Sequence, residues 1–289
     1  PYYWKVKVYT HTNETDWSEP ASWSMGLLNE ADWQGQWIGL DRPAPGDSET
    51  QWSRLAARYL RKEFALTKEV KRATVHIAGM GLYELFINGQ RIGEQVLAPA
   101  PTDYRKTILY NTYDVTPQLQ KENAIGVILG NGRFYTMRQN YKPYKIPTFG
   151  YPKLRLNLIV EYTDGSKQTI ASDISWKLTT EGPIRSNNEY DGEEYDARKE
   201  LGDWNRTGYD DTNWIPAGRV SIPSGTLRAQ MMPGMKVTES LKPVSIRKQG
   251  DKHILDIGQN MAGWLRIRIK GQAGDSIRLR FAERLQPDG

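Results

Sequence analysis

The chain has 289 residues, no cysteine, 39 Lys and Arg against 34 Asp and Glu, and a formal net charge of +5. Disulfides and thiolate metal sites are therefore excluded, and no run of about 18 apolar residues offers a membrane-spanning helix. The basic residues are scattered among carboxylates, with no basic helix or stripe, so the excess charge describes a mixed solvated surface and not a nucleic-acid footprint.

Long helical periodicity is almost missing, and alternation of period two is common. Residues 1–26 contain YYWKVKVYT, a polar turn at 11–15 and DWSEPASWSMG, which read as two strands. Two strands alone are marginal, so they belong to a larger sandwich. A central module is expected over 33–220, opened by WQGQWIG, with an exposed Pro- and Gly-rich loop at 41–53. Residues 73–78, 82–87 and 124–129 are apolar on both faces and read as buried central strands. Asn88-Gly89 directly after one of them is a tight hairpin turn. In 152–162, Leu154, Leu156, Leu158 and Val160 alternate with Lys153, Arg155 and Asn157, which predicts a strand with one wet face. A third β-domain is expected from about 227, with a hairpin formed by 265–270 and 277–281 around 271–274. Many short strands between Gly, Pro, Asn and Asp turns make this an all-β chain of tandem β-sandwiches. No charged-then-apolar leader opens it, and Pro1 within a strand-like run and Pro287-Asp288-Gly289 read as cut ends.

The densest acidic cluster is Glu189, Asp191, Glu193, Glu194 and Asp196. Its first half imitates an EF-hand loop, but the twelfth position in that frame is Arg198 and not the bidentate Glu that calcium needs. A brace built on an Asp196–Arg198 pair, with Tyr190, Tyr195 and Trp204 around it, competes with a reading in which Asp191 or Glu193 faces a sugar. Carboxylates suit sugars because their two oxygens accept from adjacent hydroxyls. Ten Trp and 16 Tyr serve either stacking on sugars or core packing. Packing is expected for Trp17, Trp23, Trp33 and Trp37, and both roles stay open for Tyr104, Phe134, Tyr135, Tyr141 and Tyr144. His11, His76 and His253 are far apart and carry no metal pattern. The Gly-x-Gly of GNGRFY lacks a following helix, so it turns the chain and cradles no phosphate.

GLYELFINGQRIGEQVLAPAPTDYRKTILYNTYDV at 81–115, GNGRFY at 130–135, YDGEEYDARKELGDW at 190–204 and LDIGQNMAGW at 255–264 together resemble the amino-terminal, non-catalytic region of bacterial α-L-rhamnosidases, glycoside hydrolase family 78. The likeness covers nearly the whole chain. It implies the end of a fibronectin-III or Ig-like domain at 1–26, a galactose-binding-like jelly roll at 33–220 and the start of another β-sandwich at 227–289. It also implies a catalytic (α/α)6 barrel further along, which removes terminal α-L-rhamnose by inversion with two carboxyls about 6.5–9.5 Å apart. No catalytic residue is assigned to this chain.

Some family members bind rhamnose in the jelly roll through calcium, which takes carboxylate, amide and carbonyl oxygens. The resemblance points to the loops 98–105 and 131–148. Its candidate calcium ligands are Asp103, Asn140 and Pro147. Its candidate ligand-binding residues are Asp103, Tyr104, Asn131, Arg133, Asn140, Asp191 and Glu193. Tyr104 follows Asp103 where binding members carry an amide. Three readings stand: an ancillary part of a rhamnosidase, a calcium-assisted rhamnose-binding module, and a structural spacer. The expected partners are a rhamnose-containing saccharide and a downstream catalytic domain, with neither nucleic acid nor membrane, and the expected location is periplasmic or extracellular.

Overall fold

The computed structural model of the protein describes residues 2–42, 55–136, 148–189 and 192–285. In chain order the first strands are β1 (Tyr2–Trp4), β2 (Ala21–Trp23), β3 (Ile38–Gly39), β4 (Arg58–Ala65), β5 (Val70–Met80), β6 (Leu82–Ile87), β7 (Gln90–Arg91), β8 (Thr107–Asp114) and β9 (Glu122–Gly130). They are followed by β10 (Lys153–Tyr162), β11 (Lys167–Ala171), β12 (Lys177–Thr179), β13 (Ile184–Asn188), β14 (Gly192–Tyr195), β15 (Ile215–Pro216), β16 (Gly218–Arg219) and β17 (Thr226–Ala229). The last two are β18 (Ser245–Gln249) and β19 (Lys252–Asp256). Among the described residues the only helical turns are short 3-10 segments such as Glu30–Asp32.

Two sheets carry the central module. One has seven strands in the order β16-β3-β10-β5-β8-β17, with β11 added on β10, and the other has six in the order β15-β12-β4-β9-β6-β7. All of these pairs are antiparallel except β17 on β8. Their facing surfaces form one core. On the first sheet Leu156 lies opposite Ile77 and Leu158 opposite Val75, and on the second Leu60 and Leu85 flank Val127. These seven side chains are at most 1% exposed, and each contributes roughly 1.5–3 kcal/mol through burial. The three runs expected as central strands are β5, β6 and β9. The turn between β6 and β7 has Asn88 at φ 50° and Gly89 at φ 81°, the two positive angles of a type I′ hairpin.

The predicted wet face of 152–162 is corrected by the fold. Lys153, Arg155 and Asn157 are 4%, 8% and 0% exposed on β10. The covering piece is the segment around 29–41. The Asn157 side chain accepts from Gly35 N at 2.7 Å and donates to Asp32 O at 3.2 Å. Arg155 donates to Gly35 O at 2.6 Å, ion-pairs with Glu30 and lies over the Trp33 ring. Lys153 ion-pairs with Asp41. The alternation was real, but a segment more than a hundred residues away satisfies its polar half.

The chain divides into two compact units, Pro1–Lys236 and Val237–Gly289. Strand β17 returns to the seven-stranded sheet, so the expected boundary at 227 falls inside the first unit. Within that unit the β1–β2 pair has Tyr2 stacked on Trp23 at 4.7 Å. Trp33 and Trp37 are buried as expected, whereas Trp17 and Trp23 are about half exposed. The second unit holds the β18–β19 hairpin. No strand forms over 257–285 among the described residues, in contrast to the hairpin predicted at 265–281. Ile267, Ile269, Ile277, Leu279 and Phe281 are all exposed there.

Candidate functional site

The loop before β8 carries Asp103. Its backbone carbonyl accepts from Lys106 N and Thr107 N, closing a turn. Both of its carboxylate oxygens face the Arg105 guanidinium, at 2.9 and 3.0 Å, and Oδ1 also accepts from Arg105 N at 3.2 Å. These bonds hold the Asp103 carboxyl below the usual carboxylate range and raise the Arg105 guanidinium in turn. A calcium ion here would have to displace a bidentate ion pair or sit beside its positive charge. Of the three expected calcium ligands, Asp103 is the one within the described residues, and it is engaged by Arg105. Asn140 and Pro147, the other expected ligands, lie outside the described residues, as does Asp191. Among the described residues no three His, Cys, Asp or Glu side chains form a group able to hold a metal ion.

Tyr104, expected at a rim, is 2% exposed. Its ring packs edge-on against Phe134 at 5.1 Å and Phe149 at 5.3 Å, and burial pushes its hydroxyl up to about 12. Asn131 is 1% exposed. Its backbone N–H donates to Asn187 Oδ1 at 2.7 Å, and its Nδ2 donates to Leu55 O at 3.0 Å and Asn187 O at 2.6 Å. It therefore ties the end of β9 to β13. Gly132 follows at φ 48° with Leu82 against its backbone, a position where a Cβ would clash, so this is the sharp turn the Gly-x-Gly implied.

Arg133 reaches across to Glu189 in a bidentate pair at 3.0 and 2.9 Å. The structure thus joins the GNGRFY loop to the acidic hairpin β13–β14. Glu193 lies opposite Asn187 on that hairpin. It is exposed, and partial desolvation together with the charge of Glu84 raises its carboxyl above the ordinary value. Arg198 holds Asp196 at 2.8 and 2.7 Å, the brace expected from the sequence, and brings that carboxyl down to about 2. The expected aromatic packing is not drawn around this pair: Tyr195 is about half exposed, Tyr190 lies outside the described residues, and Trp204 packs edge-on to Tyr59 at 5.2 Å in a separate cluster.

A cleft of about 360 Å³ opens elsewhere on the same sandwich. Its lining includes Asp41, Phe149, Tyr151, Lys153 and Ser221. Strand β3 lies between β10 and β16, which brings the residues flanking these three strands together. Phe149 stacks on Phe134 at 5.8 Å, and Tyr151 stacks on Tyr135 at 6.1 Å with the Arg58 guanidinium 5.9 Å from its ring. Sequence reasoning missed this cleft because Asp41 and Lys153 are 112 residues apart. The only available signal was a lysine within an otherwise apolar strand start.

Fold and site together define a β-sandwich module that arranges aromatic and paired ionic side chains on its surface. Matches to known families agree on which one. Residues 68–239 match the α-L-rhamnosidase N-terminal domain, residues 246–289 the bacterial α-L-rhamnosidase concanavalin-like domain, and residues 1–29 an N-terminal immunoglobulin domain of the Rha78A-like type. The chain belongs to the α-L-rhamnosidase N-terminal domain family. It is 39% identical to an α-L-rhamnosidase of Formosa agariphila over all of its own length and 32% of that protein's. It is similar to the crystal structure of an α-L-rhamnosidase from Aspergillus terreus, with 34% identity, TM-score 0.77, and coverage of 89% of this chain and 30% of that one. A Streptomyces avermitilis α-L-rhamnosidase complexed with L-rhamnose matches at 36% identity and TM-score 0.65, over 72% of this chain and 20% of that one. The chain spans about a third of the length of the curated relatives it matches.

Proposed function

We propose that this chain is the ancillary, non-catalytic region of an α-L-rhamnosidase that removes terminal α-L-rhamnose by inversion, and that it supports substrate recognition beside a catalytic (α/α)6 barrel. The observation that carries this reading is the alignment of the whole chain to about a third of the length of named rhamnosidases, 32% of the Formosa agariphila protein. The two sheets of the central module support it, being the β-architecture expected of such a region. The full protein would meet rhamnose-containing glycans in the periplasm or outside the cell, the location this reading expects. Assay of the 289-residue chain against p-nitrophenyl α-L-rhamnopyranoside is expected to show no hydrolysis. A measurable rate would overturn the non-catalytic assignment.

A second reading is that the sandwich itself binds L-rhamnose. The similarity to the rhamnose-complexed Streptomyces avermitilis enzyme favours it, and the pairing of Asp103 with Arg105 weighs against the calcium form of it. Calorimetric titration of L-rhamnose with calcium and then with chelator tests both. Binding abolished by chelator would restore calcium, and absence of binding would leave the chain as a scaffold.

A further inference from the structure

We infer that the cleft between Asp41, Phe149, Tyr151 and Lys153 is a metal-independent subsite for a neutral pyranose, a proposal that rests on the rhamnose-binding reading above. The argument begins with Lys153. It is 4% exposed, yet it lines an open cleft. Its ammonium has three N–H donors, and among the described residues Asp41 is the one hydrogen-bond acceptor for them. A buried donor that stays unmatched is costly, so this ammonium favours a ligand that brings acceptors. Asp41 keeps its carboxylate 37% exposed, which leaves acceptor sites facing the cleft.

A neighbouring donor and acceptor of opposite charge match a sugar hydroxyl, which both accepts and donates, and such charge-assisted bonds are the strong ones. The same pair disfavours an anionic ligand, because Asp41 would repel it. The other walls are aromatic. Phe149 is held by Phe134 and Tyr104 behind it, and Tyr151 is held by Tyr135 and Arg58. Arg105 also lies over the Phe149 ring, and rings fixed in this way give the cleft apolar walls that meet the C–H side of a pyranose at little entropic cost. Ser221 adds a hydroxyl to the lining. The volume of about 360 Å³ is at the small end of the range for ligand sites and suits a single sugar unit. The lining contains one carboxylate, Asp41, too few oxygens for a calcium ion.

The test is a titration of L-rhamnose into the chain, followed by backbone and indole amide chemical shifts in the presence of a chelator. Asp41→Asn keeps the shape and removes the charge, and Tyr151→Ala removes a wall. The expected result is weak, saturable binding that survives the chelator and weakens at least about tenfold in both variants. Thermal unfolding of each variant checks that it stays folded, and Ser221→Ala, at an exposed position, gives a third arm that cannot perturb the core. Binding that persists unchanged in all three variants would overturn the cleft assignment while leaving rhamnose binding intact. Binding that disappears with the chelator would overturn metal independence. No shift with L-rhamnose would overturn both this subsite and the rhamnose-binding reading, and would leave the rhamnosidase family assignment standing.

Discussion

Two stretches of this chain carry the same written pattern and come to opposite ends. In β10, Leu154, Leu156 and Leu158 alternate with Lys153, Arg155 and Asn157, and all six are buried. In 265–281, Leu265, Ile267 and Ile269 alternate with Arg266, Arg268 and Lys270, and Ile277, Leu279 and Phe281 with Arg278 and Arg280, yet no strand forms and Ile267, Ile269, Ile277, Leu279 and Phe281 stand in solvent. The difference is what lies above and below. β10 has β5 and β3 beside it, the six-stranded sheet against one face and the 29–41 segment against the other. Alternation therefore reports a capacity to become a strand, and neighbours decide whether it does.

The sharpest way to break that comparison is to truncate one apolar residue in each stretch. Leu158→Ala, at 0% exposure, is expected to cost about 2–5 kcal/mol by denaturant unfolding. Ile267→Ala, at 43%, should cost less than about 0.5 kcal/mol. Equal losses would mean that 265–281 is packed as tightly as β10.

The outer face of the first sheet has a titratable marker. His76 lies between Trp33 and Tyr110 and bonds Thr112 Oγ1 at 3.0 Å. Burial, then the charge of Arg72, brings it down to about 4. An unfolded imidazole titrates near 6.5, so between about 6.5 and 4 the unfolded chain binds the extra proton. Stability is then full above 6.5 and falls as the pH drops through that window, by about 3 kcal/mol at the limit. Urea unfolding at pH 7.5 and pH 5 should show the loss in the native chain and a flatter response in His76→Gln. An equal slope in both would mean that the ring is accessible to protons in the folded state.

Arg155→Ala sharpens the role of the covering segment. It leaves Gly35 O without its donor and should cost about 1–3 kcal/mol. Glu30 is 71% exposed, so it is not left as a buried charge. The smallest effect belongs to Arg133→Ala. Its pair with Glu189 is about 40% exposed on both sides, and its loss should cost below about 1 kcal/mol. A larger loss would show that this pair fixes the β13–β14 hairpin to the GNGRFY loop.

Local chemistry was readable wherever it was self-contained. Asn88-Gly89 could only be a tight turn, since positive φ at both positions suits Asn and Gly. The doubly apolar runs of β5, β6 and β9 had to be central, and Asp196 with Arg198 two residues on could reach each other without any fold. The family likeness rested on the same local stretches. Tyr104, by contrast, reads as a loop aromatic until Phe134 and Phe149 close over it. Arg133 and Glu189 are 56 residues apart and nothing in either neighbourhood names the other.

Strand identity, turn type and class came from side-chain alternation and backbone preference, which act over a few residues. The buried polar face of β10 and the Asp41–Lys153 cleft came from sheet order, because pairing β3 with both β10 and β16 juxtaposes residues more than a hundred positions apart, and the Arg133–Glu189 link came from the approach of the β13–β14 hairpin to the end of β9. Propensity is short-ranged along the chain, whereas burial and ion pairing depend on distance in space, and only the folded chain sets that distance.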